Sequence, residues 1–299
     1  MKIPGLAVPP LTPFNKDLKV DFDLLKTEID YVINECNAAV VVAAGVEAQE
    51  YHFLPMDERR ELISKTIEFV GKRRPVAVGI SHPSYRTAIE LAHFAEKQGA
   101  AMIQLLAPLR PFGGEPTRAE LVSYFEMVSR ESSLPMMLYL NPGPGANVDV
   151  NTTIELAALD KVKYVKESSR DLSRVGLLIE RIDQEGLAAY LTTIQMLLIT
   201  LELGGSGAAI PPPAAELGAR ILEAFQAGER ETAVRLQRQF SQFPSKWMHR
   251  GLTPTMKATM KILGRSIGDP YPPFNTFTEE ETGALTAYIN KTDLKKKGN

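Results

Sequence analysis

The chain has 299 residues, 44% hydrophobic and 23% charged, with 34 basic and 36 acidic side chains and a formal charge of -2. That balance excludes a strongly basic nucleic-acid binder and a polyanionic disordered tail, and the length fits one large domain or two small ones. A single cysteine, Cys36, excludes an intramolecular disulfide framework and suits a reducing compartment.

The first ten residues carry one lysine and no sustained apolar core, so they do not read as a signal peptide. Short apolar runs then recur along the chain: Leu6–Leu11, Ala38–Ala43, Val76–Ile80, Met102–Leu106, Met136–Leu140, Val162–Lys166, Ala188–Leu191 and Ala208–Ile210. Their ends lie about 20 to 37 residues apart, which is room for a helical crossover and too much for a hairpin. The helices between them are legible. Ala88, Leu91, Ala92 and Ala95 repeat one helical face, and Thr117 with Glu120 forms a capping box before the stripe Leu121, Tyr124, Phe125, Val128. Thr152 with Glu155 predicts a second capping box, and Gly71, Gly99 and Gly186 stand where left-handed helix ends are expected. The long apolar stretch Leu187–Ile210 carries Gln195, Glu202 and Gly204–Gly207, so it reads as strand–helix–strand in a core rather than a membrane span. Gly204–Gly207 reads as a tight turn and not a phosphate cradle, since no P-loop lysine follows. Leu217, Ile221, Ala224 and Phe225 open a helical run expected to continue through Phe240, with further helices over Thr255–Leu263 and Thr278–Ile289. The terminal Lys-Lys-Lys-Gly-Asn reads as a solvated tail.

Eight strand-like runs alternating with helices, without a Gly-x-Gly-x-x-Gly turn after the first, predict an α/β fold of the (β/α)8 TIM-barrel type with a C-terminal helical extension. The expected boundary puts the barrel in residues 1–225 and the appended helices in 226–299. The four histidines (His52, His82, His93, His249) show no metal-ligand spacing, so no metal is expected.

In such a barrel the chemistry belongs at the C-terminal strand ends. The residues there are Thr12, Glu47 to Glu50, His82, Arg110, Tyr139 with Asn141, Lys166, and Thr192 to Gln195. Period two places Lys166 on one face with Val162 and Tyr164. Two readings stand. A strand-end lysine is often merely solvated; held inside a barrel mouth it is a Schiff-base nucleophile. An ordinary lysine is less than ~0.1% free amine at pH 7. Apolar burial that lowers its pKa by ~2–3 units raises that fraction ~100- to 1000-fold, worth about 3–4 kcal/mol. Tyr139 ends the neighbouring run, either as a core aromatic or as a phenol able to relay protons to the lysine's carbinolamine. Adjacent strands bring the two ends within ~5 Å, so the pair says more than either residue alone.

These residues carry a resemblance. Thr12-Pro13-Phe14, Tyr139-Leu140-Asn141-Pro142-Gly143, Val165-Lys166-Glu167-Ser168-Ser169 with Asp171, and Gly204-Gly205-Ser206-Gly207-Ala208-Ala209 are similar, in order and spacing, to segments of the dihydrodipicolinate synthase / N-acetylneuraminate lyase family of class I aldolases. The resemblance implies Lys166 as the Schiff-base lysine and Tyr139 as its proton shuttle. It also implies a (β/α)8 barrel assembled as a homo-oligomer, tetramer or dimer, a small-molecule oxo-acid substrate, and no metal or organic cofactor. The substrate-binding positions it implies are Glu47 and Ala48 after the second strand and Ala209 at the eighth.

The departures from the family pattern fall on substrate recognition. Where the family has Gly-Thr-Thr-Gly-Glu, this chain has Val46-Glu47-Ala48-Gln49-Glu50, and Glu47 brings negative charge toward a carboxylate site. The arginine for a second carboxylate is Pro144, and the tyrosine pair after the fourth strand is Leu109-Arg110. Arg110 reads either as a replacement anion partner, through its bidentate fork, or as a plain surface arginine. His82 reads as an acid/base or an incidental loop residue. The expectation is a Schiff-base-forming carbon–carbon or carbon–oxygen lyase on a 2-oxo acid or related carbonyl, cytoplasmic, with no nucleic-acid or membrane partner. The alternatives are a dihydrodipicolinate synthase with atypical recognition and a non-catalytic ligand-binding or regulatory member.

Overall fold

All eight apolar runs form short strands: β1 (Gly5–Val8), β2 (Val40–Ala43), β3 (Val76–Gly79), β4 (Met102–Leu106), β5 (Met136–Leu140), β6 (Val162–Glu167), β7 (Ala189–Thr192) and β8 (Gly207–Ala209). The computed structural model describes residues 5–46, 50–110 and 112–296. The strand order is that of a closed parallel barrel, β1 through β8 in sequence. Parallel strands with both faces covered are apolar throughout rather than alternating, and every residue of β1 to β5 is buried.

The chain groups into two compact units. The first holds Gly5 with Pro75–Ala209. In it β3 to β8 pair in series, with α3 (Tyr85–Lys97), α4 (Arg118–Glu131), α5 (Val150–Ala157), α6 (Leu172–Leu178) and α7 (Leu197–Glu202) between them. The faces foreseen for α3 and α4 are the buried ones: Ala88, Leu91, Ala92 and Ala95, then Leu121, Tyr124, Phe125 and Val128. The Thr117–Glu120 capping box closes both ways. α6 widens into a π-helical turn over Ile179–Gln184. Gly207 is required sterically: a Cβ there would sit 2.1 Å from the Gly5 carbonyl oxygen.

The second unit holds Leu6–Arg74 and the chain from Ile210 onward. It contains the paired strands β1 and β2, then α1 (Phe22–Asn34), α2 (Met56–Val70), α8 (Ala214–Gln226), α9 (Arg230–Gln237), α10 (Leu252–Ile262) and α11 (Glu279–Ile289). Helices α8 to α11 fall in this unit together with β1 and β2.

Two local expectations are corrected. The cap of α5 is Asp149, whose carboxylate accepts from the Thr152 N–H and hydroxyl, so Thr152 lies inside the helix that it was expected to start. A carboxylate near a helix N-terminus also gains from the backbone dipole, which a hydroxyl does not match. The helical run expected through Phe240 breaks at Gly228, and α9 begins afresh at Arg230. Phe225 lies in α8 as expected, at its last turn, where Ile221 and Ala224 take the core side. The segment Leu187–Ile210 is strand, helix and strand as expected, and among the described residues no helix is long and apolar enough to cross a membrane.

Candidate active site

β5 and β6 are in register at their C-terminal ends, with Tyr139 opposite Lys166 and Leu140 opposite Glu167. A register shift lies earlier, between Met136 and Met137, so it leaves this pair regular. Along β6 the side chains alternate. Glu167 reaches the helix side, where its carboxylate takes Arg174 of α6 at 3.1 Å and the Tyr190 hydroxyl of β7 at 2.8 Å. Lys166 therefore points to the opposite face of the sheet, away from α6.

Lys166 is 2% exposed and Tyr139 is fully buried. The ammonium nitrogen Nζ lies over the Tyr139 ring, 4.2 Å from its centroid, and donates to Ser168 Oγ at 2.5 Å. The Tyr139 hydroxyl accepts from Asn141 Nδ2 at 2.8 Å. An aromatic face and a hydroxyl acceptor are contacts that also suit a protonated imine.

The ground behind this pair is stiff. Arg174 joins Glu167 to the Val148 carbonyl at 2.8 Å and to Thr153 at 3.3 Å, and the Ser169 N–H donates to the Glu167 carboxylate at 3.2 Å. Burial, and next the Glu167 carboxylate, push the Tyr190 phenol well above its ordinary pKa, so it remains a donor. Asp171 caps α6 by accepting from the Ser173 and Arg174 N–H groups. One carboxylate thus ties the end of β6 to β7, α6 and the loop that follows Lys166.

The other expected residues fall elsewhere. Arg110 is half-exposed, and its Nη2 donates to both carboxylate oxygens of Glu120, at 2.8 and 2.6 Å. Its guanidinium is therefore engaged by the same acid that closes the α4 capping box, and that carboxyl is held down to about 2, first by the Thr117 N–H. Ala209 is buried at the end of β8. His82 serves its own turn: its Nδ1 accepts from the Ser84 N–H, and its carbonyl takes the Tyr124 hydroxyl. Glu47 and Ala48, with Gln49, lie outside the described residues.

In the second unit, Thr12 is buried and its hydroxyl accepts from the Glu50 N–H at 3.2 Å. Glu50 pairs with Lys257 of α10 at 2.5 Å and accepts from the Tyr271 N–H at 2.9 Å. Sequence reading missed Lys257 as it missed the Lys166–Ser168 contact. The first joins residues far apart in the chain and leaves no local pattern, whereas the second had a signal, a hydroxyl two residues beyond a strand-end lysine.

Comparison with known proteins decides the family. The model of the Dihydrodipicolinate synthetase family matches residues 2–292. The chain belongs to that family. It is 28% identical over 295 residues to 4-hydroxy-tetrahydrodipicolinate synthase 1 of Halalkalibacterium halodurans, covering 97% of each chain. A crystal structure of a putative dihydrodipicolinate synthetase from Pseudomonas aeruginosa superposes with a TM-score of 0.87 at 25% identity, over 96% of this chain and 99% of that one. N-acetylneuraminate lyase from Mycoplasma synoviae shares the fold, with a TM-score of 0.82 at 21% identity over 98% of each chain. Dihydrodipicolinate synthetase family members are class I aldolase-type lyases that work through a Schiff base, and this chain is an enzyme of that type.

Proposed function

We propose that this lyase forms an imine between Lys166 Nζ and the carbonyl of a 2-oxo acid, with Tyr139 moving protons, and that the imine serves as an electron sink for making or breaking a bond of the carbon chain. The observation that carries this reading is the register pair itself: a lysine 2% exposed, its nitrogen 4.2 Å from the centroid of a fully buried tyrosine ring. The amine attacks the carbonyl carbon to give a carbinolamine. A proton delivered to the carbinolamine oxygen lets it leave as water, and the nitrogen lone pair becomes the C=N bond. The cation so formed draws electrons from the adjacent carbon, which permits cleavage, condensation or dehydration there.

The relative from Halalkalibacterium halodurans is named as a 4-hydroxy-tetrahydrodipicolinate synthase. We place this chain apart from that reaction, because Val46–Glu50 lacks both threonines of the carboxylate loop and Pro144 stands at the arginine position. Glu47, Ala48, Arg110 and Ala209 remain the proposed substrate contacts, and Arg110 reaches an anion by exchanging Glu120 for it. A homo-oligomer acting on a free small molecule is part of the same reading.

The test is reductive trapping. Incubation with a panel of 2-oxo acids and borohydride is expected to add the mass of a reduced imine to Lys166, and Lys166→Ala is expected to abolish the adduct. An adduct that persists unchanged in Lys166→Ala removes the assignment. Turnover of pyruvate with aspartate semialdehyde by the wild-type chain restores the synthase reading.

A further inference from the structure

We propose that Ser168 is a further catalytic residue, whose hydroxyl accepts the one N–H left on Nζ when the imine has formed and so fixes the plane of the C=N bond. This rests on the Schiff-base reading above. The placement comes from the sheet. The Ser168 N–H donates to the Leu140 carbonyl at 3.0 Å, so the backbone is still riding on β5 two residues past Lys166. Period two then returns the Ser168 side chain to the face that carries the lysine, where Oγ receives Nζ at 2.5 Å. Its neighbour Ser169 is turned to other work, its Oγ accepting from the Asp171 N–H at 3.0 Å.

The chemistry gives that acceptor a particular value at the imine stage. An ammonium has three N–H bonds and can satisfy its surroundings in several rotations about the Cε–Nζ bond. Deprotonated, the amine adds to the carbonyl carbon, giving a carbinolamine with one N–H and a new C–OH. Protonation of that hydroxyl and loss of water leave an iminium, in which nitrogen holds one hydrogen and the positive charge. With one N–H remaining, the direction of its acceptor sets the orientation of the whole C=N plane, and with it the face and the adjacent bond exposed to reaction. Ser168 Oγ already lies in that direction. A hydrogen bond to a charged group is among the stronger ones, and its loss is read as about 10- to 100-fold.

The experiment uses the full chain with pyruvate and cyanoborohydride, quantifying the Lys166 adduct by mass spectrometry in wild type and in Ser168→Ala, Ser168→Thr and Ser168→Val. Thr and Val have the same shape, and only Thr supplies the oxygen. Ala and Val are expected to lower the trapping rate about 10- to 100-fold while Thr restores most of it, with closely similar melting temperatures for the Thr and Val variants. Equal trapping by Thr and Val, at whatever rate, overturns the role of the hydroxyl, as does an Ala variant that traps like wild type. If wild type itself yields no Lys166 adduct with any 2-oxo acid, the Schiff-base reading falls and takes Ser168 with it. A wild-type adduct beside an unimpaired Ala variant removes Ser168 alone.

Discussion

Lys166 and Lys257 are both 2% exposed, yet each is kept in different company. In the first unit, Lys166 Nζ has a serine hydroxyl and a tyrosine ring face. In the second, Lys257 Nζ has the Glu50 carboxylate, the Asp269 carbonyl at 2.9 Å, and the Phe14 ring 4.8 Å from its centroid. Burial pulls the Lys257 ammonium below its usual pKa, and Glu50 opposes that pull. A carboxylate partner makes a buried lysine a brace, since the two charges compensate each other and tie the backbone at Asp269 and Tyr271 to the pair. Lys166 has a hydroxyl and a ring face beside its nitrogen, contacts that suit an imine as well as an amine. Burial alone therefore does not mark a nucleophile.

The sharpest way to break this comparison is to remove each amine in turn. Lys166→Ala is expected to cut imine trapping by at least ~1000-fold, the order of loss when a covalent nucleophile goes, while thermal unfolding stays near wild type. Lys257→Met should do the reverse. It strands the buried Glu50 carboxylate, a loss of about 3–5 kcal/mol read as a lower urea midpoint, while folded protein still traps its substrate. Adding Glu50→Gln to Lys257→Met is expected to recover part of that loss, because the uncompensated charge goes with it. A Lys257→Met protein that is fully stable, or a Lys166→Ala protein that melts early and still traps, would erase the distinction.

Tyr139→Phe probes the same contrast with a smaller effect. It keeps the ring under Nζ and removes the hydroxyl that Asn141 orients, so imine formation should slow by ~100-fold, the lower end for loss of general acid–base help. Adduct should still accumulate to completion at long times. Equal initial rates for the two proteins would reduce Tyr139 to a packing residue and the ring to its only contribution.

Why one lysine was legible in the sequence and the other was not follows from the range of the contacts. Lys166 and Tyr139 close two apolar runs, and parallel pairing of consecutive strands puts such ends side by side without further information. The eight runs themselves are legible because a doubly covered strand is apolar at every position. Where two local signals competed, the pattern misled: Asp149 and Thr152 both suit a cap, and the carboxylate took it. Arg110 could be read as free for an anion because Glu120 is ten residues away, beyond the reach of helix spacing, and only the turn between them brings the two together. The pair Lys257–Glu50 joins the two separate chain segments of the second unit, so no window of sequence contains it.

The mildest perturbation concerns Glu28, a third buried charge-bearing group, 2% exposed in α1 of the second unit. Burial pushes its carboxyl up to about 8, against the opposing influence of the Leu11 N–H, Arg265 and Lys257. Between the ordinary carboxyl range and about pH 8, the folded chain holds a proton there that the unfolded chain has released. The folded state thus binds more protons, and stability must fall as pH rises through that window, by up to about 1.4 kcal/mol per pH unit from this group. Below the ordinary carboxyl range both states are protonated and the contribution is fully present. Glu28→Gln keeps an acceptor for the Leu11 N–H and cannot ionise, so its urea midpoint is expected to vary less between pH 5 and pH 8 than that of wild type. Because the Lys257 ammonium is one of the charges holding Glu28 down, Lys257→Met should extend the wild-type decline to higher pH. Parallel profiles for wild type and Glu28→Gln would mean that Glu28 is ionised in the folded chain, and that the second unit compensates that buried charge as it does Glu50.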